Sequence, residues 1–221
     1  MSQTTINGVL MRLVEPKDGI DSEALTFIPS SPCLNVEKTY AAVASDGEKP
    51  SSMTLYILSD VTPLDTSQDL YDEDVKSNPD HTISWIACSF INGRNNNAAP
   101  TENPSISQPL SFSPIVGSKL VINGSTPRSD KEEDYHDWYN IEHGPALATV
   151  QGWNAGRRYS YLKSYGEIET ANFYGFNYYD ENSGLGGSKW EKATKTEWTF
   201  RIRGNAAKPN IRRVWKLQDS L

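Results

Sequence analysis

Short apolar runs broken by turn-forming residues dominate the chain, and their spacing predicts strands more often than helices. Residues 8–14 (GVLMRLV), 36–44 (VEKTYAAVA), 53–59 (MTLYILS) and 82–91 (TISWIACSFI) read as strands. The turn-rich run Ser45-Asp46-Gly47-Glu48-Lys49-Pro50 separates the second from the third. Residues 66–76 are polar and read as a helix. Residues 92–114, rich in Asn, Ser and Pro, hold too few apolar side chains for a core and read as a linker or long surface loop. The order then recurs. A strand at 115–123 (IVGSKLVIN) precedes a helix that opens on the acidic run Ser129-Asp130-Lys131-Glu132 and should end near Gly144-Pro145. Strands follow at 155–163 and 171–179, then a helix at 188–195 capped by Ser188, and closing strands at 198–203 and 212–217.

This recurrence has a register. Gly8 matches Gly117 at an offset of 109, Tyr40 matches Tyr159 at 119, and Tyr56 matches Tyr174 at 118. An offset that breaks at one place, by about ten residues, is a sign of internal duplication. The first half lacks those residues where the second has an aromatic helix. Each half alone would be a sheet with one bare apolar face, and packing the two faces together would bury both. The expected fold is therefore α+β: two ferredoxin-like halves, residues 1–91 and 115–221, joined by 92–114 and fused into a pseudo-dimeric α+β barrel with antiparallel sheets. The sheets should enclose one lopsided cavity, with the His143 imidazole at its mouth.

Composition narrows the partners. With 21 Lys and Arg against 28 Asp and Glu, the net charge of −7 argues against nucleic acid, which favours a basic face. No apolar run approaches the roughly 18 residues that span a bilayer. Residues 1–8 lack the charged-then-apolar order of a secretory leader. A soluble cytoplasmic protein, with no membrane partner, is expected. Six Trp and eleven Tyr argue against disorder over most of the length. Cys33 and Cys88 form no C-x-x-C pair and read as two reduced thiols. His136 and His143 have no third ligand at credible spacing, so no metal is expected.

The helix before Gly144 carries the chemistry. Tyr135, Trp138, Tyr139 and Glu142 fall at i, i+3, i+4 and i+7, with His143 adjoining at i+8. An imidazole at a helix C-terminus beside a carboxylate should have its charged form favoured and exchange protons near neutral pH. The same spacing also suits a plain core for Trp138 and Tyr139, and a helix cap for His143. If residues 155–163 are a strand, Arg157 and Arg158 point to opposite faces. One should face the barrel interior with Ser160, where it could bind a carboxylate or phenolate. The other should share a face with Tyr159 and Tyr161. Tyr174, Phe176 and Tyr178 share one face, which suits an aromatic substrate or an inter-sheet core.

The segment Trp138-Tyr139-Asn140-Ile141-Glu142-His143-Gly144-Pro145, followed by Gly152 and Arg157-Arg158-Tyr159, resembles the W-Y-x-x-E-H-x-P…G…R-[RY]-Y pattern of the EthD-like branch of the dimeric α+β barrel superfamily, in its tandem fungal form. The resemblance spans residues 115–217. Over 8–91 only the element order and the tyrosine strand are similar, and residues 21–27 carry no matching motif. It implies cofactor-free chemistry on a phenolic or polyketide-like molecule of secondary metabolism. His143 would be the general acid or base, Glu142 would orient it, Tyr139 would donate a hydrogen bond, and Arg157 or Arg158 would steady an enolate. His136, Tyr159, Tyr161, Tyr174 and Phe176 would line the substrate. Cyclisation or isomerisation is the expected reaction. The alternatives are cofactor-free oxygenation of an anthrone or phenol, and a non-catalytic small-molecule-binding or scaffold protein. A fused chain completes its own barrel, so a monomer or homodimer is expected.

Overall fold

The computed structural model describes residues 5–20, 34–96 and 113–220. Eight strands, β1 (Gly8–Pro16), β2 (Val36–Ala44), β3 (Ser52–Leu58), β4 (His81–Asn95), β5 (Lys119–Ser125), β6 (Trp153–Tyr165), β7 (Phe173–Tyr179) and β8 (Ile211–Ser220), form one closed antiparallel barrel in the order β1-β3-β2-β8-β5-β7-β6-β4. Closure leaves no free sheet edge. The first four strands run β4-β1-β3-β2 and the last four run β8-β5-β7-β6, the same order twice, with seams at β2–β8 and β6–β4. The protein is thus a mixed α/β fold built on an eight-stranded antiparallel barrel.

Alternation along the strands sorts side chains into two environments. Val9, Met11, Leu55, Cys88, Ile122, Tyr159, Phe176 and Leu217 point inward into a common core. The helices lie outside. A 3-10 turn (Thr62–Thr66) and α1 (Gln68–Ser77) cover the outer face of the first half over Leu10, Tyr56, Leu58 and Trp85. Beneath α1, Arg12 and Asp74 form a fully buried bidentate ion pair at 2.7 and 2.8 Å. On the second half, α2 (Glu132–Asp137), a π-helical stretch (Trp138–His143) and α3 (Gly144–Leu147) make one continuous helical segment. The short helices α4 (Ser188–Thr194) and α5 (Glu197–Gly204) complete the cover.

Several sequence expectations change. The helix does not stop at Gly144-Pro145 but continues to Leu147, because Pro145 sits in the first turn of α3, where its missing N–H costs nothing. Residues 198–203 are not a strand. Their Trp-Thr-Phe-Arg-Ile-Arg alternation is overridden by Thr196, whose side chain accepts from the Thr199 N–H as an N-cap, and by burial of Thr199 and Ile202 on one helical face. Ser188 does not cap α4; Gly187 holds that position without a side-chain bond. The strand read at 115–123 begins only at Lys119, since Ile115 and Val116 are exposed and Gly117 turns at φ +84°. β4 runs on to Asn95 and pairs with β6, so residues 92–95 are strand and not linker. Residues 21–27, Cys33 and most of the linker lie outside the described residues. Among the described residues no helix is long and apolar enough to cross a membrane.

Tyr40 and Tyr159 both face the barrel interior, as a repeat requires. Tyr56 and Tyr174 do not match: Tyr56 is outside under α1, Tyr174 inside. A slip of one residue in a strand exchanges faces, so the offset of 118 is one short there.

Candidate functional site

His143 does not sit at a mouth between the sheets. It lies outside the barrel, under α4 and α5, beside a cleft of about 120 Å³ between the π-helical stretch and the outer face of β5 and β7. The π turn explains which side chains meet there. Its wider turn carries one more residue than an α turn, closing with the Gly144 N–H on the Tyr139 carbonyl, five residues back. The extra residue brings the His143 ring under Trp138, stacked at 4.2 Å and 18°, and sets Tyr139 edge-on to it at 5.4 Å. Gly144 is required at this point, because a Cβ there would stand 2.8 Å from the Tyr139 carbonyl oxygen.

Glu142, displaced sideways by the same turn, does not orient His143. Its Oε1 accepts from the Thr196 hydroxyl at 2.6 Å. The Thr196 and Thr199 hydroxyls are 2.8 Å apart, and the Trp138 indole donates to Thr199 at 3.2 Å, so Glu142 ties the π stretch to α5. His143 is held instead by the backbone: its Nδ1 is 3.1 Å from the Ala193 carbonyl. A carbonyl only accepts, so Nδ1 carries the proton and the neutral ring keeps its lone pair on Nε2. Burial, above all, depresses the His143 pKa to about 4, with Arg203 and Arg158 pushing the same way. The expectation of a ring half-charged near neutral pH is therefore corrected, since desolvation outweighs the helix dipole and Glu142.

Tyr139 lies flat on the sheet over Gly175, and its hydroxyl receives a hydrogen bond from Asn177 Nδ2 at 3.3 Å. Asn177 Oδ1 in turn accepts from the Trp153 indole at 3.1 Å. Burial pushes the Tyr139 phenol up to about 12, keeping it a protonated donor. A Cβ on residue 175 would stand 2.7 Å from the Tyr139 hydroxyl oxygen. Gly175→Ala is expected to displace that ring, lowering stability by about 1–3 kcal/mol through overpacking. Thermal melts beside Tyr139→Phe check this: Gly175→Ala should cost more than loss of the hydroxyl alone.

The two arginines of β6 part company, as alternation requires, but with the faces reversed. Arg157 shares the interior side with Tyr159, and its guanidinium donates to the Arg94 and Gly156 carbonyls and to Asn95 Oδ1. Arg158 is the outward one. It is buried, stands over the Tyr139 ring at 4.6 Å, and donates to Asn140 Oδ1 at 2.9 Å and to His136 Nδ1 at 2.6 Å. His136 accepts here and so is neutral, its pKa depressed to about 4 first by burial and then by Arg158. Among the described residues no carboxylate lies within 4.0 Å of Arg158. A narrow pocket of about 30 Å³ reaches it behind Tyr139, which with Asn177 lines both spaces.

Of the residues expected to line a substrate, Tyr159, Tyr174 and Phe176 are inside the barrel and Tyr161 packs against the same core, on the far side of the sheet from His143. The structure brings together His143, Tyr139 and Arg158 with its partner His136, and leaves Glu142 at their edge. It adds residues that the sequence reading did not single out. Asn177 is one, a lone amide among the aromatics of β7 whose two-residue spacing from Gly175 marks the outer face. Arg203, Lys208 and Arg212 are others. They border an open groove of about 550 Å³ that continues the cleft outward, and none has a carboxylate within 4.0 Å among the described residues.

No family model matches the sequence, and no curated protein matches it. Solved structures do. An anthrone oxidase-like protein superposes with a TM-score of 0.64 at 12% identity, covering 99% of this chain and 94% of that one. A provisionally named monooxygenase from Fusobacterium nucleatum gives 0.56 at 8%, covering 99% and 95%. A provisionally named chlorite dismutase gives 0.57 at 12%, covering 97% and 96%. These neighbours are members of the dimeric α+β barrel superfamily, and at such identities the likeness establishes the fold that this chain shares with them.

Proposed function

We propose that this chain is an enzyme that removes a proton from an electron-rich, anthrone-like or phenolic aromatic, seated in the groove of about 550 Å³ with its reacting end in the cleft beside His143, and delivers the resulting anion to dioxygen. One observation carries the reading: a buried neutral imidazole whose Nδ1–H is fixed on the Ala193 carbonyl, leaving Nε2 as a base at the cleft. The anion it generates meets preplaced positive charge, Arg203 in the cleft and Arg212 at its mouth. Tyr139, held protonated, donates to an oxygen of the substrate. For an activated ring methylene the balance is CH2 plus O2 giving C=O plus H2O. His143 takes the first proton, the carbanion and O2 join as a peroxide, and His143 returns the proton to its outer oxygen; His143 then takes the second C–H proton as the carbonyl forms and the O–O bond breaks, and gives it to the departing hydroxide to make water.

The names of two neighbours, anthrone oxidase-like and monooxygenase, support oxygenation over the cyclisation or isomerisation expected from the sequence. The repeated strand order and the paired inward Tyr40 and Tyr159 support reading the chain as two fused ferredoxin-like halves of the tandem EthD-like type. An oxygen electrode tests the reaction. Turnover of anthrone should consume one O2 per molecule, place one 18O atom from labelled dioxygen in the ketone, and stop without oxygen. Undiminished turnover of a phenolic or polyketide-like substrate under argon would move the chemistry to cyclisation or isomerisation.

A further inference from the structure

The cleft beside His143 opens outward into the groove of about 550 Å³, and the two spaces share Asn123, Arg203, Asn210 and Arg212. Carboxylates outnumber cationic side chains 28 to 21 along the chain. Yet Arg203, Lys208 and Arg212 line this continuous space and no Asp or Glu does. We infer that the aromatic substrate carries a permanent carboxylate on the end remote from its reacting carbon, bound by Lys208 and Arg212. This rests on the reaction proposed above, and it narrows the substrate of that same site to polycyclic aromatic acids.

The three cations stand at different depths. Arg203, in the last turn of α5, lines the cleft itself, and its Nη2 donates to the Thr194 carbonyl at 3.2 Å. It therefore faces the charge that forms on the reacting ring. Lys208 lines the groove but not the cleft, so its charge matches a second anionic group further out. The loop that carries Lys208 is pinned: the Ala207 N–H donates to the Thr126 carbonyl at 2.7 Å, and Pro127 and Ala206 form a bridge. Arg212 spans both spaces from β8, where it pairs in register with Asn123 and stands over the Trp190 ring at 5.8 Å. A guanidinium offers a carboxylate two parallel N–H donors, and a lysine beside it adds a point charge. Size points the same way. The cleft, at about 120 Å³, is smaller than the roughly 150 Å³ that accommodates one benzene ring, so only the reacting end of a fused skeleton enters it. The rest of the skeleton lies in the groove, with its far substituents among Lys208, Arg212 and Asn210. Elsewhere Lys49 is paired with Glu15 at 2.8 Å and Arg213 with Asp46 at 3.1 Å. Arg203, Lys208 and Arg212 have no such partner among the described residues, and a concave surface with one sign of charge draws in an anion.

Equilibrium titration with anthraquinone-2-carboxylate, a stable product-like probe, tests the assignment against anthraquinone-2-carboxamide, its neutral counterpart of the same shape. At neutral pH and low salt the acid should bind about three- to tenfold tighter, and NaCl should shrink that preference by screening exposed cations. The double variant Lys208→Gln with Arg212→Gln should bring the two affinities within about twofold, by weakening the acid. Lys76→Gln, on α1 of the other half, also removes a positive charge and should keep the preference. His143→Gln should keep it too, because the imidazole does not hold the acid. Equal affinity of the wild type for the two probes overturns the proposal, as does a preference that survives in the double variant. Oxygen uptake separates this from the reaction itself. A preference for the acid without oxygen-dependent turnover keeps the carboxylate site and removes the oxygenase, whereas turnover of anthrone without the preference does the reverse.

Discussion

His143→Gln is expected to lower kcat/KM for anthrone by about 10²- to 10⁴-fold, the range over which a positioned general base acts. Glutamine can still fill space under Trp138, so packing survives better than with alanine, but it offers no basic nitrogen. The loss should fall mainly on kcat, because the base acts on the transition state and contributes little to ground-state binding. Glu142→Gln, by contrast, should act as a positioning change. It weakens the tie to Thr196 and loosens α5 against the π stretch, with a loss well below that at His143. A rate for His143→Gln within twofold of wild type would remove the imidazole from the mechanism.

The pH dependence of the same variant pair carries a sign. His143 is neutral in the fold with its pKa near 4, below the usual imidazole value of 6.5. Its base form is therefore present in free enzyme throughout the range from neutral pH down to about 4, and the acid limb of kcat/KM should fall there. Stability follows the same group. Above about 6.5 the folded and unfolded chains are both unprotonated at this ring and it contributes no slope. As pH falls from there toward 4 the unfolded state takes up the proton first, so stability is lost across that window, on the order of 3 kcal/mol in total. His136, depressed in the same direction, steepens the loss. His143→Gln should flatten it. A limb and a stability slope centred near 6.5 would contradict the buried neutral ring.

Much of the barrel is legible in the sequence because the strands are short apolar runs set between turns. β2 matches its expected bounds, and the others are displaced by a few residues at their ends. The sidedness is not legible. Every residue of β7 is buried, Phe173 to Tyr179, because helices cover one face and the barrel core the other. Alternation then sorts residues into two sets without saying which set is inside. That is why the sequence alone groups Tyr174 and Phe176 with the helix before Gly144, and why Arg157 and Arg158 exchange faces. Glycine breaks the symmetry: Gly175 marks the side where Tyr139 lies against the sheet. The π turn is equally hidden. An α-helical count from Tyr135 puts Glu142 beneath Trp138, whereas one extra residue puts His143 there, and only the folded backbone shows the Gly144 N–H reaching back to Tyr139. The placement of His143 under Trp138 thus follows from a backbone irregularity that local composition does not signal.

Asp74→Ala is expected to destabilise the fold by about 3–5 kcal/mol, the largest loss of stability among these variants. Its carboxylate is fully buried beneath α1 and receives hydrogen bonds from Arg12 Nε at 2.7 Å, Arg12 Nη2 at 2.8 Å, the Trp85 indole at 2.8 Å and Asn78 Nδ2 at 2.9 Å. Removing it takes the bidentate carboxylate away from the Arg12 guanidinium, itself at 0% exposure on β1. The melting temperature of a chain this size should drop by about 2–4 °C per kcal/mol, hence by about 6–20 °C. Because β1 and β4 belong to a closed barrel, the loss should appear as a lower single transition and not as selective melting of α1. Replacing both partners, Arg12→Leu with Asp74→Leu, should cost less than Asp74→Ala alone, since most of the penalty is the charge left behind. The His143 cleft lies on the opposite half, so folded Asp74→Ala should keep its kcat at low temperature. A melting shift below about 2 °C would show that the pair carries little of the stability of this half of the barrel.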